Sequence, residues 1–217
     1  MAYSAILFDL DGTIVDSAPG ITATLASTFE AMGLPIPTPS ELVAYVGPPI
    51  LDSFRDLAHL DPEESARALE IYRENYLEVG VHDSTPFEGV GEVLRAIHES
   101  PIPLSLATSK PELPATLILE HLNLARFFDI ITGASADEVR SAKKDVVEEA
   151  LLRLKNLGVD ISRPVMVGDR EHDIQGAAAH GVPTIAVDWG YGSPAEYVGS
   201  IALAHNTDEL RKLLLGE

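Results

Sequence analysis

Residues 5–13, which read AILFDLDGT, join a short apolar run directly to two aspartates. A continuous apolar run of this length predicts a strand buried in a parallel sheet, and ligands of such sheets bind beyond the carboxyl ends of the strands. There Asp9 could attack phosphorus as a nucleophile, and Asp11 could transfer the proton of the leaving group and later of water. Gly12 allows a turn that presents backbone amides to an anion. The alternative is an ordinary acidic turn.

Further apolar runs follow along the chain, and amphipathic segments separate most of them. The predicted strands are Ala5–Phe8, Leu104–Ala107, Ile130–Thr132, Val165–Val167 and Thr184–Val187. The predicted helices include Gly89–Glu99, Glu112–Leu122, Asp145–Leu157 and Asp173–Ala179. Continuous apolar strands that alternate with helices indicate an α/β fold with a doubly wound parallel sheet. We therefore predict that residues 1–15 and 86–217 form an α/β core, which is the catalytic domain.

Residues 16–85 interrupt this alternation and contain no convincing strand. Helical patterns cover Ile21–Met32, Glu41–Val46, Ile50–Leu57 and Glu63–Val79. Six prolines punctuate the segment, namely Pro35, Pro37, Pro39, Pro48, Pro49 and Pro62. We predict that this segment is a small α-helical domain inserted after the first strand.

Two further clusters carry hydroxyl groups and ammonium groups. Thr108 and Ser109 follow the predicted strand Leu104–Ala107, and a hydroxyl at a helix start could donate to a phosphate oxygen. A plain helix N-cap is the commoner role of such residues. Lys143 or Lys144 could hold two carboxylates and a phosphate together. A solvated pair that opens a surface helix is the alternative.

A fourth cluster reads GDREHD and covers residues 168–173, directly after the predicted strand Val165–Val167. Asp169 and Asp173 are one helical turn apart, so both can face the same point. Magnesium prefers oxygen ligands and keeps several waters, so a few carboxylates suffice to bind it. The pattern predicts a Mg²⁺ site, and acids that complement a helix dipole are the alternative.

In this order, the four clusters resemble the motifs of the haloacid dehalogenase superfamily over essentially the whole chain. The resemblance extends to its phosphoglycolate phosphatase-like and 5′-nucleotidase-like members. It implies that Asp9 is the nucleophile and a metal ligand, and that Asp11 is the general acid/base whose backbone carbonyl also reaches the metal. It implies these further roles: phosphate binding for Thr108, the active-site lysine for Lys143 with Lys144 as the alternative, and metal binding for Asp169 and Asp173. The inserted helices match the mobile cap of the family.

The resemblance leaves several reactions open. Asp11 argues against dehalogenation, because the haloacid dehalogenases lack the second carboxylate. Residues 16–85 contain no lysine, which excludes the cap Schiff base of the phosphonate-cleaving members. We expect hydrolysis of a small phosphate monoester, of the phosphoglycolate or nucleoside monophosphate class, through an aspartyl-phosphate. The alternatives are a sugar-phosphate mutase and a non-catalytic protein that binds a phosphorylated ligand.

The predicted cap contains one loop of interest, residues 46–49, which read VGPP. It resembles the cap loop of phosphoglycolate phosphatase-like proteins, and we expect Gly47 and the prolines that follow it to face Asp9 across a cleft. Arg55 would then lie near the wall, where it could contact a carboxylate or hydroxyl of the substrate. An exposed arginine on a helix is the alternative. Residues 189–193, WGYGS, share the resemblance, and an edge loop with a packed aromatic is their alternative.

The composition limits the partners. A formal net charge of −19 repels the phosphate backbone, so we expect no nucleic-acid polymer as a partner. The chain has no cysteine, which excludes a thiolate nucleophile and a cysteine metal site. No apolar run approaches the roughly 20 residues of a membrane helix, and the amino terminus does not resemble a signal peptide. We expect a cytoplasmic monomer or homodimer that acts on a small phosphorylated metabolite and does not bind membranes.

Overall fold

The central sheet is parallel throughout, as the apolar runs predict. The computed structural model describes residues 3–216; residues 1–2 and 217, which the predicted core includes, lie outside the described residues. The six strands of the sheet are β1 (Ala5–Phe8), β4 (Leu104–Pro111), β5 (Ile130–Ala134), β6 (Pro164–Gly168), β7 (Thr184–Val187) and β8 (Ala202–Ala204). Their spatial order is β5-β4-β1-β6-β7-β8. This is a doubly wound α/β sheet.

The register of the sheet determines where the site can form. Strand β1 lies between β4 and β6, with Ile6 opposite both Leu104 and Val165. These three neighbouring strands are the ones that the acidic and hydroxyl clusters follow in the sequence. Because their carboxyl ends share one edge, side chains distant in sequence meet there.

Helices cover both faces of the sheet, and the two faces of β1 have different partners. The helices of the core are α5 (Val90–His98), α6 (Glu112–His121), α7 (Lys143–Asn156), α8 (Glu171–Ala178) and α9 (Thr207–Leu215). Ala5 and Leu7 pack with residues of α7 and α8. Ile6 and Phe8 point the other way and join the cluster that includes α5, α6 and α9. Alternate residues of one strand therefore fill two separate core layers.

Four helices form the segment inserted after β1. They are α1 (Ala18–Ala31), α2 (Pro39–Val43), α3 (Ile50–Asp56) and α4 (Pro62–Glu78). Thr38 and Asp61 start α2 and α4 with capping boxes, and each satisfies backbone amides that the first turn leaves unpaired. Phe54 makes edge-to-face contacts with Phe29, Tyr45 and Tyr72 in the interior of the segment.

Two short strands join the inserted segment to the core. β2 (Val15–Asp16) and β3 (Thr85–Pro86) pair antiparallel, with Asp16 opposite Thr85. The expectation of no strand within residues 16–85 is therefore wrong at both ends, because a two-residue strand has no periodicity to detect. We propose this pair as the boundary between the core and a cap. Among residues 3–216, no helix is long and apolar enough to cross a membrane.

Candidate active site

Lys143 links two of the predicted acids at the carboxyl edge of the sheet. Its ammonium lies 2.6 Å from Oδ1 of Asp9 and 2.7 Å from Oδ1 of Asp173, and it donates to the carbonyl of Ala107 at 3.1 Å. The lysine is buried, whereas Lys144 is exposed. Of the two lysines that the sequence offers, the structure brings only Lys143 to the acids.

The position of Lys143 follows from where its helix begins. The sequence predicts a start at Asp145, but α7 begins at Lys143, with Ala142 as its N-cap. Lys143 then shares the buried face of α7 with Val146, Val147 and Ala150, at the three-, four- and seven-residue spacing of an amphipathic helix. The apolar face that anchors α7 on the sheet therefore also directs the ammonium into the site.

A third carboxylate, that of Asp169, joins the two that pair with this lysine. Oxygen atoms of Asp9, Asp169 and Asp173 all lie within 4.8 Å of one another, and all three side chains are buried. Burial, opposed by Lys143, raises the pKa of Asp9 to about 6. Burial and the two neighbouring carboxylates raise the pKa of Asp169, whereas Lys143 outweighs burial and lowers that of Asp173. The group therefore carries more negative charge than Lys143 balances.

This donor set fits a divalent cation. When all three buried carboxylates are ionised, the one ammonium leaves two negative charges, and a hard cation with a charge of two would balance them. Asp9, Asp169 and Asp173 are the residues that would hold it through their side chains. The carboxylate of Asp11 does not belong to this group, so only its backbone carbonyl remains for the role that the resemblance implies.

The loop of residues 189–192 supports Asp169, a role that the sequence did not predict. The amide of Tyr191 donates to Oδ2 of Asp169 at 2.7 Å, and Thr13 donates to Oδ1 at 3.3 Å. The hydroxyl of Tyr191 donates to Asp16 at 2.7 Å. A side chain at Gly190 would lie 2.4 Å from Oδ2 of Asp169, so only glycine fits there. The packed aromatic loop thus positions a candidate metal ligand.

Gly12 is equally confined. Its φ is +82°, and a Cβ there would lie 2.2 Å from Oδ2 of Asp169. The turn after β1 therefore requires glycine both for its left-handed backbone and for the close approach of the acid. The structure brings Gly12 to the predicted site.

Both oxygens of Asp11 are hydrogen-bonded. Ser17 donates to Oδ1 at 2.6 Å, and the ammonium of Lys110 lies 2.9 Å from Oδ2. Lys110 is buried, and the charge of Asp11 outweighs burial and raises the lysine pKa. Lys110 was not among the residues that the sequence indicated for the site. Its place directly after Thr108 and Ser109, at the end of a predicted strand, was the signal that could have identified it.

Thr108 and Ser109 lie within β4 and not at a helix start. The strand continues to Pro111, which is the N-cap of α6. The prediction that a helix dipole helps these two hydroxyls to bind phosphate is therefore wrong. The alternative, that they cap helix α6, is wrong as well. Thr108 accepts a hydrogen bond from the amide of Lys110, and the hydroxyl of Ser109 is buried without a hydrogen-bond partner among the described residues. That hydroxyl is free to donate to a ligand oxygen.

The expected neighbours of the VGPP loop are only partly found: residues 47–49 share a cavity with Asp11, whereas neither Asp9 nor Arg55 lines it. Gly47 and its two prolines line a cavity of about 190 Å³ together with Asp11. Arg55 lies outside the residues that line this cavity; it is exposed on α3 and forms an ion pair with Asp52, three residues earlier. The prediction that Arg55 lies at the cleft wall is therefore wrong. Its guanidinium pairs instead with the carboxylate of Asp52 on the same helix.

Known proteins resemble this chain over most of its length. A family model described as "Haloacid dehalogenase-like hydrolase" matches residues 6–187. The chain is 38% identical to the tyrosine-protein kinase PtkA of Mycobacterium tuberculosis, over 96% of this chain and 72% of that protein. It is 34% identical to the 5′-nucleotidase of Pseudomonas aeruginosa, over 90% of this chain and 87% of that protein. It is 30% identical to the phosphoglycolate phosphatase of Salmonella typhimurium, over 92% and 85% respectively.

Solved structures share the fold. One of them, from Clostridium acetobutylicum and described as a predicted phosphatase, superposes with a TM-score of 0.92 at 34% sequence identity. The match covers 100% of both chains. The inserted helices and the core are therefore present together in that relative.

Proposed function

This chain belongs to the haloacid dehalogenase-like hydrolase family and is a phosphatase of that family, and on this premise we propose that it forms an aspartyl-phosphate on Asp9 with the help of Mg²⁺. The observation that carries the proposal is the position of Lys143 between Asp9 and Asp173, beside Asp169. A nucleophilic carboxylate, a buried ammonium and a set of oxygen ligands meet there at one sheet edge. They are the groups that phosphoryl transfer requires.

Asp9 would attack the phosphorus of the bound ester and form the acyl phosphate, while the bond between phosphorus and the leaving oxygen breaks. Lys143 holds the attacking carboxylate in place and balances negative charge on the phosphoryl group. The hydroxyl of Ser109 and the side chain of Thr108 would contact the phosphate. Bound Mg²⁺ would supply charge neutralisation to the phosphoryl oxygens.

Asp11 would then move the protons. It would enter this step as the neutral acid, give its proton to the departing alkoxide, and as the carboxylate later take one from the water that hydrolyses the acyl phosphate. In this structure Ser17 donates to Oδ1 and Lys110 lies against Oδ2, so we propose that Oδ1 carries the proton and exchanges Ser17 for the leaving oxygen when substrate enters, while Lys110 stays on Oδ2.

A second candidate reaction passes the same phosphoryl group to a hydroxyl instead of water. The relative from M. tuberculosis is named a tyrosine-protein kinase, and a phosphomutase is the related alternative. The two outcomes differ in one measurement. Phosphate release that matches substrate consumption supports hydrolysis, whereas consumption with little free phosphate supports transfer.

The first prediction concerns the removal of Mg²⁺. In a panel of small phosphate esters, which includes nucleoside monophosphates and phosphoglycolate, we expect phosphate release with Mg²⁺ and none in chelator. Mg²⁺ should also raise the unfolding temperature, because binding to the folded state alone stabilises it. Ca²⁺ should bind but inhibit, since its longer bonds and higher coordination misplace the nucleophile.

This prediction is tested by comparing Asp169→Asn with Asp160→Asn. The first change removes a candidate ligand and should raise the Mg²⁺ concentration needed for half-maximal activity by about tenfold or more. Asp160 is exposed and precedes β6, at the edge of the sheet opposite the acidic group, so its change should leave that concentration unaltered. Full activity in chelator, with metal shown to be absent, would contradict the magnesium proposal.

A further inference from the structure

The cavity beside Asp11 is mostly apolar. It contains Ser109 and Lys110 at the end that reaches the candidate site, and its volume is about 190 Å³. Six side chains that form its walls are Pro48, Ile50, Leu69, Tyr72, Tyr76 and Leu113. They come from the loop of residues 46–49, from helices α3 and α4, and from the core helix α6. The leaving group of a phosphate ester that is bound at Asp9 would enter this cavity.

The charges of the cavity are already paired. Arg73 and Lys110 are the basic residues among those that line it. Arg73 forms an ion pair with Glu138, and Lys110 forms one with Asp11. Each of these cations already has a carboxylate partner, so a second anionic group on the substrate would have to displace Asp11 or Glu138. That exchange is unfavourable for a carboxylate in the leaving group, because it leaves a protein carboxylate without its partner.

One wall is aromatic. The rings of Tyr72 and Tyr76 stack with centroids 5.4 Å apart and planes 10° from parallel. The ammonium of Lys110 lies 4.8 Å from the ring centre of Tyr76, so the aromatic wall reaches the Lys110–Asp11 ion pair. A flat apolar ring near the leaving oxygen would find both an aromatic surface and a closed apolar wall there.

We propose that this protein prefers phosphate monoesters whose leaving group is an uncharged alcohol bearing a compact apolar or aromatic ring. The inference rests on the proposed function and narrows its substrate class. It disfavours phosphoglycolate, whose leaving group carries a carboxylate. It is compatible with a nucleoside, whose leaving group is uncharged and carries a flat base.

The test compares benzyl phosphate with phosphoglycolate in the presence of Mg²⁺. Both are esters of primary alcohols, so the comparison reports the leaving-group site more than intrinsic reactivity. We expect kcat/KM for benzyl phosphate to be higher by about tenfold or more, as the burial of a ring allows. Equal values, or a preference for phosphoglycolate, would overturn the inference and leave the phosphatase proposal intact. Hydrolysis of neither ester, nor of any ester in the panel, would overturn both.

A charged side chain introduced into the cavity wall tests whether the substrate preference arises in this cavity. Ile50→Arg introduces an unpaired cation into the cavity and should lower the benzyl phosphate to phosphoglycolate ratio of kcat/KM by about tenfold. Leu113→Arg repeats the change at a wall residue that is 60% exposed, so it does not disturb buried packing. Val79→Arg adds the same charge at a residue that is 66% exposed and outside the cavity lining, and should leave the ratio unchanged. An unchanged ratio in folded Ile50→Arg and Leu113→Arg proteins would also overturn the inference.

Discussion

Asp9→Asn should lower kcat by about a thousandfold or more while the protein stays folded. An amide cannot form the acyl phosphate, and the loss of a nucleophile removes the covalent route entirely. The change should not destabilise the metal-free protein. Burial raises the pKa of Asp9 to about 6, so the ionised carboxylate costs folding free energy at neutral pH, and the neutral amide removes that cost. Steady-state phosphate release and thermal unfolding measure the two effects.

The control for this variant is Asp56→Asn, at an exposed residue of the inserted segment. It makes the same chemical change far from the acidic group and should leave both kcat and the unfolding temperature close to those of the unaltered protein. Substantial turnover by a folded Asp9→Asn protein would show that another group accepts the phosphoryl group.

Lys143→Met should affect both catalysis and stability. The buried carboxylates lose their only ammonium partner within hydrogen-bond reach among residues 3–216, and an uncompensated buried charge costs about 3–5 kcal/mol. We expect the free energy of unfolding of the metal-free protein to fall by about 3 kcal/mol, and kcat to fall by about a hundredfold or more. Mg²⁺ should restore part of the stability, because it replaces some of the lost positive charge.

Lys144→Met provides a matched comparison at the next residue. Its side chain is exposed, so the free energy of unfolding should change by less than about 0.5 kcal/mol, and activity should remain. Equal losses in the two variants would mean that the change acts through the start of α7. Unchanged kcat in Lys143→Met would remove this lysine from the mechanism.

Much of the site could be predicted because each residue lies next to a strong local pattern. Asp9 and Asp169 directly follow buried apolar strands. Asp173 lies four residues beyond Asp169, in the first turn of α8; the expectation that one helix carries both acids is wrong, because α8 begins at Glu171. In a parallel sheet the carboxyl ends of the strands share one edge, so a correct list of strands already brings these residues near each other. The choice between Lys143 and Lys144 needed more, because both precede the predicted helix start at Asp145. Only the observed start of α7 at Lys143 places that residue on the buried face of the helix.

The remaining features depend on contacts between distant segments. The hydrogen bond from Tyr191 to Asp169 joins residues 22 positions apart, and the ion pair of Lys110 with Asp11 joins residues 99 positions apart. No local sequence pattern indicates either contact. Arg55 was placed at the cleft from its distance to the VGPP loop, but its ion pair with Asp52 keeps it on the outer face of α3. Arg73, on α4, lines the cavity instead.

Strand β8 and helix α9 were missing from the predicted elements. β8 has three residues, and only Ala204 is fully buried, so its apolar run is too short to distinguish from a loop. Helix α9 buries Leu210 and Leu214 against the core. The spacing of these two leucines is helical, but it spans only about one turn of a nine-residue helix.

Whether Asp9 carries the phosphoryl group can be read from the mass of a trapped intermediate. Acetyl phosphate needs no proton for its leaving group, so Asp11→Asn protein with Mg²⁺ should still transfer the phosphoryl group but should lack the base that activates water. We expect this variant to gain the mass of one phosphoryl group, and we expect peptide mapping to place that group on Asp9. Mapping to another residue, or turnover of acetyl phosphate without any covalent phosphoryl group, would contradict it.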